Sequence, residues 1–267
     1  MIYLLQSEDV QWSSTPVLND IAADASSAIS LEVWNGRVNP QDVLVVSMKD
    51  IKMMPEATLR KAITIGSIEF TETVMERAFR IEHMKPLNVP LPLSVKKYWK
   101  RRMSLCFGVE AVNSIFEDWH TDTLFIKSGS RLKTPITGLY HKGELTEVYK
   151  DDPLLLVSEP ISLSTEKSAE WRLFVKDHKI IDLRCYAGNP WMLPDKDMVA
   201  EIADKIPDNI RCATLDVAVT DSGDTVIVEL HNFVSCGSYG ADLPLSMYRF
   251  GYIDELKRYN VSFGKER

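Results

Sequence analysis

Cysteine is scarce and dispersed: Cys106, Cys185, Cys212 and Cys236 include no close pair, which argues against a zinc site and against a disulfide framework. A reducing, cytoplasmic setting is the expectation. Basic charge is also in short supply, because a formal net charge of -7 provides no phosphate-neutralising surface and argues against nucleic acid as a partner. No apolar run approaches the roughly 20 residues of a membrane helix, so no membrane partner is expected. Met1 to Leu5 is too short, and lacks the basic start, for a signal peptide. The GxxxxGK[ST] phosphate loop is missing, which excludes the nucleotide-binding class built on it. There is no internal repeat and no low-complexity segment.

What remains is an ordinary globular composition, 45% hydrophobic and 26% charged over 267 residues, long enough for one large domain or two modest ones. Three prolines in the stretch PLNVPLP, residues 86 to 92, block regular structure and mark a connector. Residues 1–90 then form a small α/β domain, with strand-like runs at Ile2 to Leu5 and Val43 to Met48. A helix is expected over Thr71 to His83, where Val74, Ala78 and Ile81 recur at helical spacing. Residues 91–267 form the second domain.

The most informative segment is ATLDVAVTDSGDTVIVELHNF, residues 213 to 233, which reads as a hairpin. With Ser222 and Gly223 as a two-residue turn, Asp216 lies directly opposite Glu229. Leu215, Val217, Val219, Val226, Val228 and Leu230 are then assigned to the core face, and the two acids to the other. Like charges placed opposite each other destabilise a sheet unless a cation sits between them, and such oxygen-rich sites suit Mg2+. The alternative is a half-exposed hairpin with both acids in water.

Strands are expected at Thr123 to Lys127, Leu154 to Glu159, Trp171 to Lys176 and Lys179 to Tyr186, with Asp177-His178 a tight turn and a helix over Asp195 to Lys205. The basic stretch VKKYWKRRMS, residues 95 to 104, is either a solvated helix face or a local anion surface. Lys127, at a strand end before the polar loop SGSRLKTPITG, suits phosphate oxygens or else simply faces water. Arg172 and Arg184, on neighbouring strands, either bridge an anion near the acidic pair or each pair with a surface acid.

The order of Lys127, a Gly/Ser loop, a strand ending in Glu159, Glu170-Trp171-Arg172, Arg184, then Asp216 and Glu229 resembles the ATP-grasp superfamily. EWRLFV (170 to 175) and VELHNFVSCGSYG (228 to 240) are most similar to its clade named for two arginines and a lysine. The resemblance covers roughly residues 96 to 250 and implies an α+β fold in which two subdomains clasp a nucleotide, preceded by a smaller α/β domain. It implies an ADP-forming carboxylate-amine ligase using ATP and Mg2+ through an acyl phosphate, with small-molecule or peptide carboxylates and amines as partners. Lys127 and Lys133 would hold phosphates, Glu159 would lie beside adenine, and Glu170 would reach the ribose. Arg172 and Arg184 would face the phosphates or the acyl intermediate. Asp216 and Glu229 would be metal ligands. The chain departs from the clade at Glu229-Leu230-His231-Asn232: His231 shares the face of Glu229 by alternation, and Asn232 is expected to turn in at the strand end as the better Mg2+ ligand. A phosphotransferase on the same frame, or a non-catalytic nucleotide-binding protein, are the alternatives.

Overall fold

The structure, a computed structural model, describes residues 1–7, 28–87, 93–132, 134–148, 150, 153–234 and 236–263. The described residues form three sheets. In the first, β1 (Ile2–Gln6) runs parallel to both β2 (Val43–Val46) and β3 (Ala62–Ile65). All four β3 residues are buried, as expected of a parallel strand covered on both faces. The helices α1 (Met48–Met53), α2 (Glu56–Leu59) and α3 (Ile68–Phe79) belong to this unit. The expected helix over 71 to 83 starts and stops earlier, because Ser67 caps it by accepting from the Phe70 amide and Arg80 ends it in a left-handed conformation.

The second sheet has the order β4-β7-β5-β6 and is antiparallel throughout. It is built from β4 (Met103–Phe107), β5 (Thr123–Ser128), β6 (Gly138–His141) and β7 (Leu154–Ser158). One face is covered by α4 (Gly108–Trp119), whose Val112, Ile115 and Phe116 pack with Leu124, Ile126, Leu155 and Val157. Alternation sends Lys127 to the opposite face.

The third sheet runs β11-β10-β8-β9, from β8 (Ala169–Lys176), β9 (Lys179–Gly188), β10 (Cys212–Val219) and β11 (Thr225–Asn232). Asp177 and His178 both take positive φ, 46° and 65°, which is the tight turn expected between β8 and β9. The helix α5 (Lys196–Asp204) covers one face through Val199, Ile202 and Ala203, against Trp171, Leu173, Leu215, Val217, Ile227 and Leu230.

The β10–β11 hairpin pairs Asp216 with Glu229, but not through the expected turn. Beyond Asp216 the register shifts, so that Val217 pairs with Ile227 and Val219 with Thr225. The loop is longer by one residue, closed by Thr220 donating to the Asp224 carbonyl, with Gly223 at φ 83°. A bulge at Val228 absorbs the extra residue. The core face of β11 is therefore supplied by Ile227 and Leu230, and the assignment of Val226 and Val228 to that face is corrected.

The last helix, α6 (Leu245–Arg258), returns to the first sheet. Its Met247, Tyr252 and Leu256 join Leu4, Ile63, Phe70 and Val74 in one core, along with Phe174 and Cys212 from the third sheet and Phe233 just beyond β11. The far end of the chain thus completes the N-terminal core. Among the described residues no helix is long and apolar enough to cross a membrane.

Candidate functional site

The open faces of the second and third sheets meet at a cluster of charges. On the third sheet, β8, β10 and β11 align Arg172 with Asp216 and Asp216 with Glu229, all on the face away from α5. Arg172 and Asp216 are both buried, 8% and 3% exposed. They form a two-point pair, Nε to Oδ1 at 2.8 Å and Nη2 to Oδ2 at 2.7 Å, the fork geometry that favours arginine over lysine. Arg172 also donates to the Gly237 carbonyl at 3.3 Å and lies over the rings of Tyr186 and Tyr239, which stack on each other with centroids 5.2 Å apart.

Lys127 crosses from the second sheet to pair with Glu229. His231 Nε2 contacts Glu229 and stands 3.5 Å from Asp216 Oδ2. One donor atom from each of Asp216, Glu229 and His231 lies within 4.8 Å of the others. Burial alone raises a carboxyl pKa, yet Asp216 is held low by the Arg172 guanidinium and by His231. Glu229 is held low against the same burial by the charges of His231 and Lys127. Burial pulls His231 down, but Glu229 and Asp216 more than offset it and push the imidazole up to about 10.

These residues are suited to a divalent cation. The two carboxylates match a hard ion such as Mg2+, and the imidazole, once it gives up its proton, adds a nitrogen donor to them.

The remaining expected site residues are placed elsewhere. Asn232 does not turn in: β11 continues through it in pairing with Ala213, and its amide donates to Glu255 of α6 and to the Lys85 carbonyl. Arg184 sits beside Arg172 in register but binds Asp182 at 2.6 Å. Glu159 is taken by Arg102, whose amide donates to one carboxylate oxygen at 2.7 Å and whose Nε donates to the other at 2.8 Å. Glu170 accepts from the Tyr186 hydroxyl at 3.0 Å, and the Tyr186 ring lies against Arg172. Lys133 lies outside the described residues.

The basic stretch is in part the solvated helix face expected, with Lys96 and Lys97 exposed on a 3-10 helix, Leu93–Tyr98, and four of its five cations also bind neighbouring elements, Arg102 through Glu159. Lys97 binds Glu201 and Lys100 binds Asp224, both at 2.7 Å, while Arg101 donates to the Ile227 and Val228 carbonyls beside the bulge. Arg101 lay within the expected basic stretch but not in this role, and no site role was expected of Tyr186 or Tyr239. Tyr186 was legible, since it lies two residues from Arg184 on the same strand face.

Residues 98–246 match the family model of the ATP-grasp domain for family 2 of the clade named for two arginines and a lysine. Among solved structures, the D-cycloserine synthetase DcsG is similar in fold, with a TM-score of 0.58 at 10% identity, covering 94% of this chain and 98% of that one. The ATP-grasp ligase PsnB complexed with a minimal precursor aligns at 0.48 and 11% identity, covering 95% and 99%. The D-alanine–D-alanine ligase from Bacillus anthracis complexed with ATP aligns at 0.47 and 14% identity, covering 97% and 98%. No curated protein sequence matches the chain.

Proposed function

Because the chain belongs to the ATP-grasp domains of the two-arginine, one-lysine clade, family 2, we propose that it is an ADP-forming carboxylate-amine ligase that uses ATP and Mg2+. The observation that carries this reading is the meeting of Lys127 from one sheet with Asp216, Glu229 and His231 from the other. Phosphoryl transfer asks for positioning and charge neutralisation rather than a protein nucleophile, and this cluster supplies both.

In this reading Lys127 leaves Glu229 and holds phosphate oxygens. Asp216 and Glu229 hold Mg2+, which when bound neutralises the charge of the triphosphate. Arg172 holds Asp216 ionised and aimed, so its role is positioning. Leu105, Phe107 and Leu139, exposed on the Lys127 face of the second sheet, offer an apolar wall for the base. Among the described residues Arg184 bonds Asp182 through Nε and Nη2, which leaves Nη1 for the carboxylate substrate, and that substrate becomes an acyl phosphate and is attacked by an amine to give an amide, ADP and phosphate. The two domains are divided at residue 90, with α6 lent to the core of the first.

The test is ADP release with a panel of small carboxylates, peptides and amines. Activity with at least one pair, lost in Glu229→Gln with folding retained, is the expected result. Full activity in that variant would remove the metal assignment. One observation favours a second reading, non-catalytic nucleotide binding: both acids already have cationic partners. Nucleotide binding without ADP release for any pair would select it.

A further inference from the structure

The metal-facing donor set contains a nitrogen where an oxygen would suit Mg2+ best. The side chain that could have supplied an amide oxygen, Asn232, is buried on the other side of β11 and tied to Glu255 and Lys85. Strand alternation leaves His231 on the face of Glu229, with Nε2 directed at both carboxylates. The oxygens of one acid stay shared, since Arg172 uses both of those on Asp216. A carboxylate keeps further lone pairs, but a shared carboxylate is a weaker donor, which raises the weight of the imidazole. Mg2+ prefers an all-oxygen octahedron, whereas first-row transition ions accept imidazole readily.

We propose that His231 Nε2, releasing its proton to solvent as the ion enters, is the third protein ligand of the divalent ion, and that the site thereby favours a first-row transition ion over Mg2+. This rests on the metal–nucleotide reading above for the ion's presence, and goes beyond it in the ion's identity.

The experiment uses the full chain with a non-hydrolysable ATP analogue and Mn2+ as the probe, with histidine 15N-labelled. Pulsed electron paramagnetic resonance is expected to show coupling of Mn2+ to an imidazole nitrogen, absent in His231→Asn. Because Mn2+ often binds more tightly than Mg2+, the second readout is the ratio of their affinities by calorimetry. That ratio is expected to fall at least about tenfold in His231→Asn, with circular dichroism checking the fold. If Mn2+ binds with the nucleotide but shows no protein nitrogen coupling and an unchanged ratio, the proposal is overturned while the nucleotide reading stands. If neither metal nor nucleotide binds, both fall.

Discussion

Lys127 of β5 and Glu229 of β11 form an ion pair between the second and third sheets, so the acid that faces the nucleotide side is charge-balanced before any ligand arrives. Arg172 does the same for Asp216. A divalent ion alone therefore meets a site without net negative charge, and gains little by entering it. Mg2+ without nucleotide should leave the melting temperature unchanged, whereas Mg-ATP at about a hundred times its dissociation constant should stabilise by roughly 2.7 kcal/mol. Lys127→Met takes one cation off Glu229 and leaves His231 beside it, so it should strengthen Mg2+ binding alone and weaken nucleotide binding. Equal stabilisation of the unaltered protein by Mg2+ alone would contradict this charge balance.

The Arg172–Asp216 pair is buried, and removing one partner leaves the other charge without compensation. Arg172→Met should cost about 3–5 kcal/mol of stability, measured by denaturant unfolding. Arg172→Met combined with Asp216→Leu should cost less than the two single changes added together, because the orphaned charge is gone. Additive costs would show that the pair is not coupled. Asp216 is thus a poorer choice than Glu229 for a test of activity alone.

Local pattern carried much of this site and long-range partners the rest. The pairing of Asp216 with Glu229 was legible, although by a different route: the loop holds an extra residue and the bulge at Val228 restores the register. The placing of His231 beside Glu229 followed from alternation. The fate of Asn232 did not, because it depends on Glu255, which comes from α6 and is distant in sequence. Glu159 likewise looked free, because its partner Arg102 lies just before β4 and is distant in sequence. The α4 helix carries a helical apolar pattern at Val112, Ile115 and Phe116 that was legible and went unread. That α6 completes the N-terminal core has no local signature, since a helix's apolar residues do not say which sheet they meet.

Gly251 sits in α6 against Phe233, and a Cβ at that position would stand 2.7 Å from the ring's Cδ1 and 3.1 Å from its Cβ. Alanine favours a helix over glycine by up to about 1 kcal/mol, while overpacking a filled core costs about 1–3 kcal/mol. Gly251→Ala should therefore destabilise on balance. Adding Phe233→Leu, which withdraws the ring, should recover part of the loss in thermal melts. A more stable Gly251→Ala would mean that the α6 contact with Phe233 is looser than its geometry implies.

Glu255 tests the same contact through pH. Burial raises its pKa, with Arg258 and then Asn232 pulling partly back. Arg258 lies 3.0 Å away. An acid whose folded pKa exceeds its unfolded value, about 4.3 for glutamate, binds its proton more tightly in the native state. Its contribution is most favourable below the unfolded pKa, falls as pH rises between the two values, and is flat above the folded one. Glu255→Gln removes that titration and leaves the other groups in place, so the difference in unfolding free energy between variant and parent should shift in the variant's favour as pH rises from about 4, then level off. The slope is the readout, because losing the Arg258 partner displaces the whole curve. A difference that stays constant across this range would show that Glu255 titrates at its solvent value, and that α6 does not seal it against β11.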